Sequence, residues 1–152
     1  MICRIDSPLG MLTLTEQNGA LISLAFTPGA SPLPPESPLL ADAERQLAEY
    51  FAGSRKQFSL PLCPFGTSFQ QQVWQSLLKI PYGESRSYAQ LAIAIGNPNA
   101  CRAVGGANGK NPLPILIPCH RVIAADGRLG GYSCGLERKI FLLQLENIPY
   151  FP

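Results

Sequence analysis

Three short stretches near the start of the chain alternate or run apolar: Ile2 to Ile5, Met11 to Thr15 and Ala20 to Phe26. Ser7-Pro8-Leu9-Gly10 and Gln17-Asn18-Gly19 separate them, and Asn-Gly supplies the two positive-φ positions that a tight hairpin needs. Five prolines from Thr27 to Pro38, the last included, deny that segment regular hydrogen bonding. Leu39, Leu40, Ala43, Leu47, Tyr50 and Phe51 then recur at helical spacing up to Gly53. Phe58, Leu60 and Leu62 alternate with polar or proline neighbours as in an edge strand. The first unit is therefore expected to run β-β-β-α-β.

After Gly66 the periodicity turns helical. Phe69, Val73, Trp74, Leu77 and Leu78 form one face, with Thr67 or Ser68 as cap and Pro81-Tyr82-Gly83 as stop. Ser87-Tyr88-Ala89-Gln90 matches a capping box and opens a short helix carrying Leu91 and Ile95, which Gly96-Asn97-Pro98 terminates. Asn99 is the expected cap of a further helix, Ala100 to about Asn108, and a terminal helix is expected over Leu136 to Asn147. The change of texture puts a domain boundary near residue 65, giving units 1–65 and 66–152.

Two short helices joined by a three-residue, glycine-containing turn match a helix-turn-helix, whose second helix enters a DNA groove. That second helix is nearly bare. Ala103, Gly105, Gly106 and Ala107 leave Arg102 as its one long side chain, and each glycine costs roughly 1 kcal/mol in helix propensity. Small residues suit close approach either to a sugar-phosphate surface or to another helix, and the spacing alone leaves both open.

Composition narrows the class. A hydrophobic fraction of 46% in 152 residues is ordinary for a folded globular chain. No run approaches membrane-spanning length and the N-terminus has no secretory pattern, so a cytoplasmic protein with no membrane partner is expected. Five cysteines at irregular spacing, with a single histidine, argue against a disulfide framework or a zinc site. Residues 1–63 carry 4 basic and 6 acidic groups (−2) and residues 64–152 carry 8 and 4 (+4), so the positive charge lies in the half with the paired helices. Such a half is suited to phosphates.

Ile115-Leu116-Ile117 reads as a short buried strand that stops at Pro118, which would present Cys119 and His120 at a turn. A thiol is mostly protonated at neutral pH, and His120, the only imidazole, could draw off its proton. Neighbours on an extended chain point apart, so a bridging water suits this pair better than a direct bond. Glu146 lies between Leu142 and Leu143 on the terminal helix, where it could face the core and orient His120. Fraying outward, or pairing with Lys139, are the alternatives.

Ile117-Pro118-Cys119-His120-Arg121-Val122, preceded by Gly96-Asn97-Pro98 and Arg102-Ala103-Val104-Gly105-Gly106-Ala107-Asn108, resembles the O6-alkylguanine-DNA alkyltransferase family. The likeness runs from about Ser68 to Glu146 and includes Ser87-Tyr88, Asn111-Pro112-Leu113-Pro114-Ile115 and Gly131-Tyr132-Ser133. It implies an α+β protein: a ribonuclease-H-like β-β-β-α-β domain, then a mostly helical, winged helix-turn-helix-type domain. The implied activity is irreversible, stoichiometric transfer of an alkyl group from O6-alkylguanine in duplex DNA to Cys119, without cofactor or metal, and with O4-alkylthymine left open as a second substrate.

By the same resemblance, His120, Glu146, Asn111 and Tyr88 serve the chemistry, and Ser133, Tyr132, Val122 and Pro114 bind the base. Arg102 fills the gap left by the flipped nucleotide, and Ala103, Gly105, Gly106 and Ser87 meet the minor groove. The implied protein is a monomer, with cooperativity along DNA left open. Cys134 beside the pocket and Gly109 on the bare helix depart from the family's pattern. Three rival readings exist. A damage sensor of the same fold would lack the reactive cysteine, a cysteine hydrolase would leave Arg102 and the bare helix unexplained, and an operator-binding regulator would need base-reading side chains on that helix.

Overall fold

The computed structural model describes residues 1–152 and divides into two compact units, Met1–Phe65 and Gly66–Pro152. In the first, β1 (Ile2–Ile5), β2 (Leu12–Gln17) and β3 (Ala20–Phe26) form an antiparallel sheet in that order. Asn18 and Gly19 take φ of 52° and 77° at the β2–β3 turn, as the hairpin pattern predicts. A bulge opposite Thr15 and Glu16 absorbs Ile22, which lets Leu21 and Leu24 both face the core although they are three residues apart.

Helix α1 (Pro38–Phe51) begins with Ser37, whose Oγ accepts from the Leu40 N–H at 3.0 Å, and buries Leu40, Ala43, Gln46, Leu47 and Tyr50. The expected strand over Phe58–Leu62 does not form. That segment makes a single parallel bridge, Leu62 to Leu21, and is held from the other side by Gln46. Gln46 Oε1 accepts from Ser59 N at 2.9 Å and Nε2 donates to Ser59 O at 3.3 Å. Pro61 and Pro64 remove the donors a ladder would require.

The second unit is built on α2 (Ser68–Leu78), α3 (Tyr88–Ala94) and α4 (Cys101–Gly109), which pack against one another. Thr67–Gln70 and Ser87–Gln90 both close reciprocal capping boxes. α2 buries Val73, Trp74 and Leu77 but leaves Leu78 exposed, and Trp74 Nε1 donates to the Ala107 carbonyl at 2.9 Å. This bond ties α2 to the otherwise featureless α4.

Two expectations for the paired helices need correction. Asn99 does not cap α4; Ala100 occupies that position without any side-chain bond. The connection is residues 95–100, longer than three, because Gly96 at φ 78° and a backbone turn from Ala100 N to Asn97 O take up extra chain.

Strand β4 (Arg86–Ser87) pairs in parallel with β5 (Val122–Ile123), and α5 (Leu136–Leu145) closes the unit. The expected strand over Ile115–Ile117 is instead a tight turn. Ile117 N bonds to Leu113 O at 2.8 Å, and the fully buried Ile115 is forced to φ 74°. A β-branched residue in the left-handed region costs about 1–3 kcal/mol. Asn111 offsets this by bracketing the turn, accepting from Leu113 N at 3.0 Å and donating to Ile117 O at 2.8 Å.

Candidate active site

The bracketed turn delivers the chain into a single 3₁₀ turn, Cys119–Arg121, whose three side chains are all buried. Cys119 is 2% exposed. Burial pushes its thiol up to about 11, against hydrogen bonds from Asn111 and Tyr132 that favour the thiolate. The resting sulfur is therefore protonated at neutral pH, and ionising it requires a base.

The imidazole next along the chain is that of His120. Its Nε2 lies 2.6 Å from Glu146 Oε2, and both side chains are fully buried. Burial lowers the imidazole's pKa although Glu146 opposes that. Burial alone would raise the Glu146 carboxyl, but hydrogen bonds and charge from His120 and Arg121 outweigh it and hold it at about 2. An ionised carboxylate only accepts, so the hydrogen sits on Nε2 and the neutral ring keeps its lone pair on Nδ1. Nδ1 makes no hydrogen bond within the protein, which leaves it as the basic atom.

Glu146 sits at the C-cap of α5 and faces inward, so the core-facing expectation describes its position. Lys139 turns elsewhere. Its ammonium, with no exposed surface, donates to the carbonyls of Val122 at 2.6 Å, Gly131 at 3.0 Å and Leu129. Desolvation lowers it to about 8. It thereby joins α5 to both ends of the segment leading to Tyr132.

Three residues escaped the sequence reading. Arg121 donates from Nε to Glu146 Oε1 at 2.8 Å, from Nη2 to Oε2 at 3.2 Å, and from Nη1 to Ile80 O at 2.6 Å. A charged residue inside an apolar run was the available signal, since a buried guanidinium needs a carboxylate. From the sequence Lys139 is expected only as a partner for Glu146. Asn108 is buried on α4 and donates from Nδ2 to the Cys119 carbonyl at 3.3 Å.

A cleft of about 260 Å³ is lined by Tyr88, Gly105, Asn108, Gly131, Tyr132 and Ser133, together with Gly109. Tyr88 stands at the start of α3, and burial keeps its phenol neutral, hence a donor. Ser133 is exposed, with Oγ 4.0 Å from Cys134 Sγ. Pro114 and Val122 are buried in the turn and in β5 and are not among the residues that line that cleft. Ser87 spends its hydroxyl capping α3.

Arg102, Ala103 and Gly106 are exposed on α4, and Gly105 is partly so. A Cβ on Gly106 would meet no atom within 4 Å, and one on Gly105 only the Tyr88 ring at 3.8 Å. Packing within the protein therefore does not demand glycine at 106. All five cysteines are free, and no three His, Cys, Asp or Glu side chains converge as metal ligands. No helix is long and apolar enough to cross a membrane.

A helix-turn-helix in the same unit as a buried cysteine, followed in the chain by a carboxylate-bound imidazole, is the arrangement of a DNA-binding class of protein. Residues 68–148 match the family described as 6-O-methylguanine DNA methyltransferase, DNA binding domain, and residues 4–64 match its ribonuclease-like domain. The chain belongs to the 6-O-methylguanine DNA methyltransferase family. It is 60% identical over 116 residues to the constitutive methylated-DNA--protein-cysteine methyltransferase of Bacillus subtilis, covering 76% of this chain and 70% of that one. It is 49% identical to the Mycobacterium leprae protein named methylated-DNA--protein-cysteine methyltransferase, over 95% and 92% of the two chains. The crystal structure of Mycobacterium tuberculosis OGT in complex with DNA superposes with a TM-score of 0.84 at 46% identity, over 96% and 93%.

Proposed function

We propose that this protein repairs DNA by direct reversal, moving an alkyl group, methyl foremost, from O6 of guanine onto its own Cys119. The observation that carries the mechanism is the buried Glu146–His120 pair, which leaves Nδ1 as the free base on the residue next to the thiol. His120 takes the thiol proton through one bridging water, the new carbon–sulfur bond forms as the carbon–oxygen bond breaks, and Glu146 stabilises the imidazolium. Guanine leaves with negative charge spread from O6 over the ring. Tyr88, a neutral phenol, donates toward a ring nitrogen, while Ser133 serves the oxygen. Asn111 fixes the turn that presents Cys119. The product is a thioether that water does not displace, so each molecule acts once and needs no cofactor.

DNA is met on the face of α4. Gly106 has open space where a side chain would stand, which favours close approach of a ligand over internal packing. Arg102, Ala103 and Gly105 share that face with it, and Ser87 opens α3. Duplex DNA is engaged through its minor groove by a single protein molecule, with Arg102 filling the gap left by the flipped nucleotide. Extrusion costs a few kcal/mol, less for a lesion that pairs poorly. In this reading residues 1–65 form the ribonuclease-like domain and residues 66–152 carry binding and catalysis. Five free cysteines suit a reducing, cytoplasmic setting.

The direct test is to incubate the protein with duplex containing O6-methylguanine and weigh it intact. One added methyl, mapping to Cys119 and reaching one equivalent, is expected. Tight binding without any mass change would identify a damage sensor, and repeated turnover on an acyl substrate would identify a hydrolase. Arg102→Ala is expected to slow repair in duplex at least tenfold while leaving transfer from free O6-benzylguanine nearly unchanged. Equal slowing on both substrates would refute the finger.

A further inference from the structure

Beyond α5 the chain reverses at Asn147, where φ is 57°, and residues 148–151 return over the turn at 124–128. Phe151 N donates to the Gly127 carbonyl at 2.7 Å, and Phe151 forms a parallel bridge with Arg128. A Cβ on Gly127 would stand 2.8 Å from the Phe151 ring, and φ there is 84°, so the ring contact and the backbone both require glycine. The stems of the turn are gripped as well. Ile123 enters it and Leu129 leaves it, and both pack with Leu143, Ile148 and Tyr150 in one apolar cluster. Gln144 Nε2 donates to the Tyr150 hydroxyl at 3.1 Å, which ties that ring to α5.

The turn so held carries a cation beside the paired helices. β5 runs parallel to β4 with Ile123 opposite Ser87, which opens α3, so the turn emerges next to the start of that helix. On the outgoing stem, a Cβ on Gly130 would come within 3.2 Å of the hydroxyl of Tyr88, the first residue of α3. Asp126 Oδ1 accepts from Arg128 N at 3.1 Å and closes the turn. The Arg128 side chain is 72% exposed, and its Nε lies 3.6 Å from Asp126 Oδ2. An exposed pair at that length contributes little, so the guanidinium can exchange it for a phosphate oxygen at small cost. Nothing in the alkyl-transfer step uses Arg128 or Phe151.

We propose that residues 148–151 are a strap that holds this turn so that Arg128 meets a backbone phosphate of the duplex, next to the surface that α3 and α4 present to it. Phe151 is then a positioning residue for DNA binding and acts through Arg128. This rests on the reading of the α4 face as the DNA surface, given above. The contact is independent of sequence: it adds affinity and fixes the register of the protein on the duplex, and it reads no base. A turn left loose at its tip would have to be ordered on binding, and that cost would come off the affinity. The strap orders it beforehand.

The test measures binding to undamaged duplex across a range of salt, together with alkyl transfer from O6-methylguanine duplex and from free O6-benzylguanine. Arg128→Ala leaves the backbone bonds of the turn in place. It should weaken duplex binding about threefold to tenfold near about 0.1 M salt and reduce the slope of log affinity against log salt by about one. Phe151 is 64% exposed, so Phe151→Ala should fold, and it should weaken binding in the same direction, while Phe151→Tyr binds as the wild type does. The double variant should bind no more weakly than Arg128→Ala, because the strap acts through that side chain. Transfer from the free base should change by less than about twofold throughout, since no phosphate is involved. Unchanged affinity and slope in Arg128→Ala would overturn the phosphate contact. Additive losses in the double variant would overturn the strap. So would equal slowing on duplex and free base by a folded Phe151→Ala protein, or by Phe151→Leu should the alanine variant not fold. A wild type that binds duplex through Arg128 yet takes no methyl from the lesion would overturn the alkyl-transfer reading and leave this one standing, whereas repair with normal binding by Arg128→Ala overturns this one alone.

Discussion

Cys119→Ser protein is expected to gain no methyl from O6-methylguanine DNA, a loss of transfer exceeding about a thousandfold. The reason lies in the acid–base balance of the turn. Even for sulfur, burial pushes the resting thiol up to about 11, and in the proposed mechanism it is the lone pair on His120 Nδ1 that takes its proton. A serine hydroxyl is a far weaker acid, and the same imidazole cannot ionise it to a useful extent. Because serine is nearly isosteric, the fold should survive, which thermal denaturation checks. Intact-mass measurement after prolonged exposure to damaged duplex gives the readout. A methyl still arriving at the substituted protein, on Cys134 or elsewhere, would remove Cys119 from the centre of the mechanism.

The second large effect is expected at Glu146. Its carboxylate answers His120, two nitrogens of Arg121 and the Gly83 amide at 3.4 Å, all within the interior. Glu146→Ala strands the Arg121 guanidinium, which is 8% exposed, and should cost about 3–5 kcal/mol in urea denaturation. Glu146→Gln keeps the shape and loses the charge. It should fold better than the alanine variant yet transfer methyl roughly 100-fold or more slowly, since the imidazolium then lacks its anion. A glutamine variant reacting at the wild-type rate would sink the orienting role.

Acid supplies a further check on the same carboxylate. Its folded pKa of about 2 lies below the ordinary 4.5, so the stability it contributes is fully present above 4.5 and is lost as pH falls from there through about 2. The stability gap between the wild type and Glu146→Gln should narrow over that window and not above it.

Local signals were legible where a single residue type answers a single backbone need. Asn18-Gly19 fits a tight hairpin, and Ser87 with Gln90 satisfies two orphan amides at one helix start. Signals that depend on a distant partner were not. Phe58, Leu60 and Leu62 alternate like a strand, yet Gln46 on α1 and the proline at 61 decide that the segment is clamped and not laddered. Ile115-Leu116-Ile117 has strand composition, but the amide of Asn111 imposes a left-handed turn that β-branched residues resist by themselves. In the candidate site, the chain itself puts Cys119 beside His120, and helical phase gives the inward face of Glu146. Arg121 was hidden because its worth comes from the Ile80 carbonyl and the Glu146 carboxylate, 41 and 25 residues away along the chain.

The burial of Cys119 has one more consequence. A molecule that has reacted is a core variant of itself, carrying an added methyl at a position only 2% open to solvent. Crowding a packed interior by one methyl group typically costs about 1–3 kcal/mol, so spent protein should melt below fresh protein in the same solution. The molecule is then its own dosimeter: the share of the population that melts early counts the lesions removed.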